Sequence, residues 1–363
     1  MYKPKKLPPD FDFETKPVLK KLAEARAALA ELKGFVHIVP NQSILISTLS
    51  LQEAKDSSAV ENIITTHDEL FKAELGKELV QSIATKEVQN YNLALREGTR
   101  RIVSSGGLIK NECIIAVQEH LEGNRAGYRK LKGTVLKNDT TGEIVYEPPQ
   151  DPKEIETLMA DLLEYINVDD TQNIDALIKT AIIHFQFESI HPFYDGNGRT
   201  GRILILLYLI SKGYLNIPVL YLSRYVIQNK KDYYRLLQDV RDNNNWEEWI
   251  LFILEGVRLT SLDTIGMIRQ IRDLMQEYKA FLRNFPFYSQ ELLNNLFKHP
   301  YTKIEFVKAD LRITRQTASK YLKELSEHPS GLIRHVQIGK FSYFINVKLY
   351  ELLTHDRKLM LNK

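Results

Sequence analysis

The stretch from His191 to Arg202 reads HPFYDGNGRTGR and separates two apolar segments with helical spacing. Upstream, apolar residues recur at i, i+3, i+4 and i+7 between Ile174 and Ile190, and Pro192 stops the pattern. Downstream, the segment from Arg199 to Lys212 is apolar on every side through its middle, which predicts a buried central helix. The stretch is therefore predicted to be a short polar turn between two core helices.

Residue types that favour anion binding are concentrated in this turn. Gly196 and Gly198 lie just ahead of the second helix, so backbone N–H groups can converge on one point beside the positive end of the helix dipole. Arg199 and Arg202 share a helix face, but two cations in a first turn oppose the dipole unless an anion lies close to them. A bound polyphosphate would satisfy all of these features.

Asp195 and His191 add the other parts of a transfer site. A carboxylate beside a phosphate is repulsive unless Mg²⁺, which takes oxygens from both, lies between them. An imidazole can take a proton from a hydroxyl near neutral pH. Each residue alone also has a structural interpretation, since Asp195 can cap a helix and a Gly-Asn-Gly sequence is often only a tight turn. Their combination favours phosphoryl or nucleotidyl transfer, with Phe193 as a core anchor of the turn.

The stretch matches without departure the signature HPFxDGNGRxxR of Fic-domain proteins, and Phe187-Glu188-x-Ile190 also resembles that family. The resemblance implies transfer of AMP from ATP, with Mg²⁺, to a Ser, Thr or Tyr hydroxyl of a target protein, and the chain itself is a further candidate substrate. His191 would be the catalytic base and Asp195 would hold the metal. The nucleotide-binding residues that the resemblance implies are Glu61, His191, Gly196, Asn197, Gly198, Arg199, Thr200, Gly201, Arg202 and Tyr233.

These residues have distinct implied roles. The Gly196-Asn197-Gly198 segment would cradle the phosphates, and Arg199 would support both the loop and the phosphates. Arg202 would grip the γ-phosphate, while Tyr233 matches a position near the adenine. A Tyr on a helix is also commonly a core or interface residue, and that alternative stays open.

The segment SSAVEN, from Ser57 to Asn62, is a second element with a functional interpretation. Read locally, Ser57 and Glu61 form an ordinary polar pair at i, i+4. Beside a Fic core the segment resembles the family's inhibitory Ser/Thr-x-x-x-Glu-Gly/Asn helix. The resemblance implies that Glu61 pairs with Arg202 and keeps that arginine from the γ-phosphate.

Two further regions extend the prediction. Thr134–Leu136 and Ile144–Tyr146 are β-favouring triplets around turn residues 138–142, which predicts a β-hairpin. The hairpin, 134–146, resembles the family's flap, which holds a target segment by strand pairing. Other helical patterns occupy Lys16–Leu32, Leu51–Ala73, Ser82–Val103, Lys231–Val240 and Trp246–Glu277.

The region after the Phe285-Pro286 step is mildly basic, with 13 Lys and Arg against 7 Asp and Glu from Phe287 onward. Thr314–Leu322 resembles the second helix of a helix-turn-helix with Thr314 as its N-cap, and a predicted hairpin follows at Leu332–Val336 and Phe341–Val347. This order suggests a winged helix. DNA is one candidate partner for residues 287–350, and protein contacts or dimerisation are the other.

The predicted fold is mainly α, a Fic-type helical core with a β-hairpin flap and a C-terminal winged helix-turn-helix domain. We expect a helical segment carrying the inhibitory helix at 1–110, the catalytic core at 111–285 and the winged helix at 286–363. The only cysteine, Cys113, excludes an intrachain disulfide and fits a reducing compartment. Without a signal peptide or a long apolar run, the sequence predicts a cytoplasmic protein with no membrane partner.

Two alternative functions remain open at this level. The same residues would serve an enzyme that removes AMP, with Glu61 positioning a water molecule. A DNA-binding regulator with a vestigial core is the other class, although the intact motif argues against a dead site. The donor could be UTP or CTP instead of ATP, the resemblance is compatible with a homodimer, and the target protein is not revealed.

Overall fold

The computed structural model describes residues 2–76, 82–137, 141–168, 174–338 and 341–354. These residues form a mainly helical protein. Its N-terminal part contains α1 (Lys16–Phe35), a 3-10 turn (Val36–Ile38), α2 (Gln42–Val60), α3 (His67–Leu75) and α4 (Ile83–Ser104). Its middle part contains α5 (Asn111–Glu122), β1 (Leu136–Lys137), β2 (Ile144–Tyr146), α6 (Pro152–Asn167), α7 (Ala176–Ile190), α8 (Asn197–Ser211), α9 (Ser223–Gln228), α10 (Lys230–Asn243) and α11 (Trp246–Leu282).

Helices α7 and α8 lie at the centre of the core and are buried on nearly every side. They pack against each other, while α4 and α5 cover α8 and the long α11 runs beside α7 and α1. The prediction of a buried central helix after the polar turn is confirmed. Among the described helices, none has the length and apolar character that a membrane span requires.

The predicted helical pattern from Leu51 to Ala73 is interrupted, because α2 ends at Val60 and α3 begins at His67. Asn62 adopts a left-handed conformation with φ 63°, which ends α2. Thr66 then forms a capping box with Glu69, which starts α3. The sequence pattern does not predict this break, because apolar residues recur with helical spacing on both sides of it.

Strands β1 and β2 form the predicted antiparallel hairpin. The first strand begins at Leu136, two residues later than predicted, and the predicted turn residues Asn138, Asp139 and Thr140 lie outside the described residues. Tyr146 anchors the second strand, since its ring is buried and its hydroxyl donates to the Ser189 carbonyl at 2.8 Å.

The C-terminal region contains α12 (Gln290–Lys298), β3 (Tyr301–Thr302), α13 (Ile304–Leu311), α14 (Arg315–Glu327), β4 (Ile333–Ile338), β5 (Phe341–Asn346) and α15 (Val347–Thr354). Three helices and a hairpin follow one another as predicted for a winged helix, with the sheet order β3-β5-β4. Thr314 caps α14 by accepting from the Thr317 N–H at 3.2 Å. Gly339 and Lys340, the predicted turn of the hairpin, lie outside the described residues.

The C-terminal region packs directly on α2 and α3. Ser47 of α2 donates to the Lys298 carbonyl at 3.0 Å, and Gln52 donates to the Leu353 carbonyl at 2.8 Å. Tyr301 donates to Asp68 at the start of α3 at 2.6 Å. The helix that carries Ser57 and Glu61 is therefore covered by the C-terminal region on another side.

Candidate active site

The turn before α8 is held closed by Asn197. Its Oδ1 accepts from the Phe193 N–H and its Nδ2 donates to the Phe193 carbonyl, both at 2.8 Å. The Phe193 ring is fully buried, in agreement with its predicted anchoring role. Because the Asn197 side chain is engaged in this clamp, only its backbone remains for the predicted phosphate contact.

The three glycines of the stretch each make room for a carboxylate. A Cβ atom built on Gly198 would collide with a carboxylate oxygen, and Cβ atoms on Gly196 and Gly201 would come within 2.5 and 2.6 Å of one. Gly196 also has φ 76°, a conformation that favours glycine. The acidic residues at Gly196, Gly198 and Gly201 are Glu122, Glu61 and Glu188, respectively. Glu122 is not predicted from the sequence, because it is the last residue of α5, a helix that the sequence pattern does not predict.

The buried guanidinium of Arg202 is paired with the end of α2. Its Nη2 donates to Glu61 Oε1 at 2.8 Å and to the Ser57 carbonyl at 2.9 Å, and its Nε donates to Ser57 Oγ at 2.8 Å. Burial alone would raise the pKa of the Glu61 carboxyl, but the charge and hydrogen bond of Arg202 outweigh it and hold that pKa below its usual range. Glu61 is therefore ionised in this contact.

The backbone conformation at the end of α2 explains why asparagine occupies position 62. The Asn62 N–H donates to the Ala59 carbonyl and the Ile63 N–H to the Ser58 carbonyl, which together form a Schellman motif. This motif requires a left-handed residue at position 62, and Asn is one of the few side chains that tolerate it. Lys230 also donates to Asn62 Oδ1 at 2.9 Å. The backbone contacts at the end of α2 therefore fix the position from which the Glu61 side chain extends.

Arg199 has two carboxylate partners in this conformation. Its Nη1 lies 3.0 Å from Glu87 Oε2 and its Nη2 lies 2.9 Å from Glu122 Oε1. Its side chain is only 4% exposed, so these contacts tie α8 to α4 and α5. The predicted support of the loop is consistent with this geometry, while the predicted phosphate contact stays a prediction. The neighbouring Thr200 hydroxyl is buried without a partner in the described part of the chain.

His191 ends α7 in a left-handed conformation, with φ 50° and ψ 58°. Its Nδ1 is buried and has no partner among the described residues. Burial, followed by the charge of Arg129, lowers the pKa of the His191 imidazole to about 4. The ring is consequently neutral near pH 7 and has a lone pair available to accept a proton.

Asp195 is exposed, and its Oδ1 accepts from the Gly196 N–H at 2.7 Å. Within the described ranges, no group of three or more His, Cys, Asp or Glu side chains could enclose a metal ion. A single exposed carboxylate fits Mg²⁺ that takes its remaining ligands from water and phosphate oxygens, which is the usual mode for this ion.

Tyr233 is buried rather than open to a ligand. It is 1% exposed and its hydroxyl is paired with His184 Nε2 at 2.8 Å. The adjacent Tyr234 is 45% exposed. Direct stacking of Tyr233 on an adenine would require its ring to be uncovered, so the predicted adenine contact remains a prediction.

Three family models match successive parts of the chain. Residues 19–100 match the Fic/DOC family N-terminal model and residues 109–209 match the Fic/DOC family model. Residues 274–349 match the C-terminal domain of SoFic-like protein adenylyltransferases. The three matches follow one another along the chain without overlap.

Individual relatives agree with the models. The chain is 29% identical over 182 residues to a probable protein adenylyltransferase of Aquifex aeolicus (strain VF5), covering 49% of this chain and 53% of that protein. It is 35% identical over 66 residues to protein adenylyltransferase fic-1 of Caenorhabditis elegans, covering 18% and 13% of the two chains. The chain thus spans about half or less of these curated relatives.

A solved structure is similar in fold over nearly the whole length. The crystal structure of a Fic family protein from Desulfovibrio desulfuricans G20 aligns with 93% of this chain and 98% of that chain, with a TM-score of 0.58 and 19% identity. At this identity the likeness concerns the fold alone.

Proposed function

Since the chain belongs to the Fic/DOC family, we propose that it is a protein adenylyltransferase, which transfers AMP from ATP to a hydroxyl of a target protein and is restrained by Glu61. The observation that carries this proposal is the position of the Glu61 carboxylate. It pairs with Arg202 and also occupies the space in front of Gly198. An anion is thus already bound where the motif is expected to hold a phosphate.

In the proposed reaction, His191 removes the proton of the target hydroxyl. The hydroxyl oxygen attacks the α-phosphorus of ATP, the bond from that phosphorus to the bridging oxygen breaks, and pyrophosphate leaves. The neutral imidazole suits the role of base, since an imidazolium has no site for a proton. The backbone N–H groups of Asn197 and Gly198 and the guanidinium of Arg202 would position the phosphates for this attack, while the Gly196 N–H already donates to Asp195.

Asp195 would hold Mg²⁺ together with phosphate oxygens. When bound, the ion would offset the negative charge of the triphosphate. Arg199 would act indirectly, because its contacts with Glu87 and Glu122 fix the first turn of α8.

The hairpin of β1 and β2 is the proposed holder of the target segment. Ile144 and Val145 are 56% and 42% exposed, so part of β2 presents apolar side chains to solvent. An extended target segment that pairs with a hairpin edge gains backbone hydrogen bonds, and its side chains contact such exposed residues. Self-modification and a homodimer are further parts of this proposal, which the family resemblance suggests.

Removal of AMP and DNA binding are the two alternative functions. Removal of AMP would use the same residues, with the Glu61 carboxylate positioning a water molecule, and remains the second candidate.

DNA binding through residues 287–350 is disfavoured by the charges on α14. Each of three cations there has an acidic partner, and the pairs are Arg315–Glu305, Lys320–Glu324 and Lys323–Glu327, at 2.9, 3.8 and 3.7 Å. These acidic partners lower the positive charge of the α14 face and with it the counterion release that drives DNA binding.

Mass spectrometry of the Glu61→Gly chain, incubated with Mg²⁺ and with ATP, UTP or CTP separately, tests the proposal. We expect the chain to gain one adenosine monophosphate from ATP, and His191→Ala in the same background to gain none. A gain only from UTP or CTP would change the donor. Absence of any gain, both on the chain and on proteins of a lysate, would contradict the transferase function. Release of AMP from a previously modified substrate by the wild-type chain, and not by Glu61→Gly, would favour the second candidate.

A further inference from the structure

Arg129 connects the hairpin to the turn that carries His191. Its Nε donates to the His191 carbonyl at 2.8 Å, and its Nη2 donates to the Ile190 carbonyl at 3.4 Å. The same Nη2 donates to the Pro149 carbonyl, beyond the end of β2. The backbone N–H of Arg129 donates to the Pro192 carbonyl at 2.9 Å.

The guanidinium of Arg129 lies in an environment that is unusual for an arginine side chain. Arg129 is 1% exposed, and every acceptor that the described residues offer to its side chain is a backbone carbonyl. Burial of the cation lowers the pKa of Arg129. Burying a cation without a carboxylate is costly, and the carbonyl contacts offset part of that cost. A position with this cost calls for a specific structural role.

The hairpin needs such an attachment. A two-stranded hairpin is marginally stable alone, and β1 and β2 have only two and three residues. Arg129 precedes β1 by seven residues and contacts Pro149, which follows β2, so one side chain holds both ends of the hairpin. Tyr194 adds a lesser link, since its hydroxyl accepts from the Lys130 N–H at 2.8 Å.

The turn at His191 also needs support. Non-glycine residues seldom adopt positive φ, and such conformations persist where surrounding contacts determine them. The carbonyls of three successive residues, Ile190, His191 and Pro192, all accept from Arg129. These bonds fix the peptide planes on both sides of the His191 side chain.

We propose that Arg129 is a positioning residue, which sets the target-holding hairpin and the base His191 in a fixed relation to each other. The proposal rests on the proposed function, because it assumes that His191 is the base and that the hairpin holds the target. A planar guanidinium has five donors in a rigid fork and can bond carbonyls on both sides at once. A lysine in its place keeps the charge but has a single nitrogen, so it cannot reproduce the fork.

The test compares Arg129→Lys with Arg125→Lys, the same substitution at an exposed position four residues earlier. Hydrogen–deuterium exchange is followed at the amides of 144–146 and at those of His191 and Phe193, with α11 as internal reference. We expect faster exchange at both segments in Arg129→Lys and at neither in Arg125→Lys. An increase at only one segment, at neither, or across α11 as well would overturn the proposal. Should Arg129→Lys not fold, Arg129→Gln is measured in the same way.

Kinetics in the Glu61→Gly background give the second readout. We expect Arg129→Lys to lower the AMP-transfer rate at saturating target by about 10²-fold, because small displacements of a base have effects of this size. ATP affinity should be unchanged, which a loss of overall structure would not allow. An unchanged transfer rate would overturn the proposal. If the background enzyme transfers no AMP even with Arg129 intact, the proposed function fails, and the exchange data alone decide whether Arg129 couples the two segments.

Discussion

Glu61 Oε1 lies 2.8 Å from Arg202 Nη2, and this same oxygen occupies the space into which a Cβ on Gly198 would project. One carboxylate thus blocks both a guanidinium and a glycine of the proposed phosphate site. The Glu61 side chain remains 33% exposed and follows directly after the last residue of α2. A small change at the end of α2 would therefore suffice to move it away.

Glu61→Gly is expected to increase AMP transfer. The substitution frees Arg202 for the γ-phosphate, and correct placement of the triphosphate can change a rate by about 10²-fold. Because Glu61 is the C-cap of α2 and not an interior residue, the cost to the helix should stay below about 1 kcal/mol. Transfer from labelled ATP is measured at equal concentration of folded protein.

Glu61→Gln is the control for that variant. Glutamine keeps the size of the side chain and removes its charge, so we expect an increase smaller than that of glycine. Equal or lower rates in both variants would contradict restraint by Glu61, while the transferase proposal would stand on the His191–Arg202 stretch.

His191→Ala is expected to abolish transfer and leave ATP binding nearly unchanged. The imidazole is proposed to act on the target hydroxyl, and general base catalysis typically contributes ~10²–10⁴-fold in rate. Steady-state transfer and calorimetric ATP binding are measured in the Glu61→Gly background. Labelling at the parent rate would rule out His191 as the base.

The acid limb of the pH–rate profile should lie at a lower pH than the limb that a histidine with an ordinary pKa would produce. The pKa of His191 is lowered to about 4, by burial first and by Arg129 second. A lowered pKa means that the base stays unprotonated to lower pH, so kcat/KM for ATP should hold between pH 8 and 6. A histidine with the usual value of about 6.5 would lose roughly three quarters of its neutral form at pH 6.

One neighbouring group titrates in the same range and must be separated. Burial raises the pKa of Glu188 to about 7, and its Oε1 has no partner in the described part of the chain. The profile is therefore repeated with Glu188→Gln. A limb near 6.5 that persists in this variant would indicate that His191 is not held in a low-pKa environment during catalysis.

Removal of the residues after Pro286 is expected to raise transfer in the wild-type chain and to have no effect in Glu61→Gly. The sequence alone predicts that the chemistry survives this truncation. In the structure, Ser47 and Gln52 of α2 bond to Lys298 and Leu353 of the C-terminal region. The truncation removes these contacts, so α2 loses support and the restraint by Glu61 becomes weaker. Transfer assays on the four proteins test this expectation.

Gln52→Ala tests the same coupling in the full chain without exposing the covered face of α2, because it removes the bond to the Leu353 carbonyl. It also removes the bond of Gln52 to His67 Nε2, so His67→Ala, which removes only the latter of these two bonds, is measured beside it. A truncation and a Gln52→Ala chain that both keep the wild-type rate would show that the C-terminal region does not support the restraint.

Local patterns were sufficient for several elements. The apolar run from Ile203 to Ile210 predicts the buried α8, and Thr314 with its following helix predicts a capped α14. The break between α2 and α3 was not predictable from apolar spacing, because it depends on a backbone conformation at Asn62. The first strand of the hairpin begins two residues later than predicted, whereas the second strand, which the bond of Tyr146 to Ser189 anchors, has the predicted bounds.

The sequence by itself determined which residues the turn between α7 and α8 contributes, because the residues from His191 to Arg202 are adjacent in the chain. Only the tertiary structure decided which distant groups meet them. Glu61 is 141 residues from Arg202 and Arg129 is 62 residues from His191. Such contacts depend on how α2, α7 and the hairpin pack, and packing of separate elements is not encoded in any local spacing.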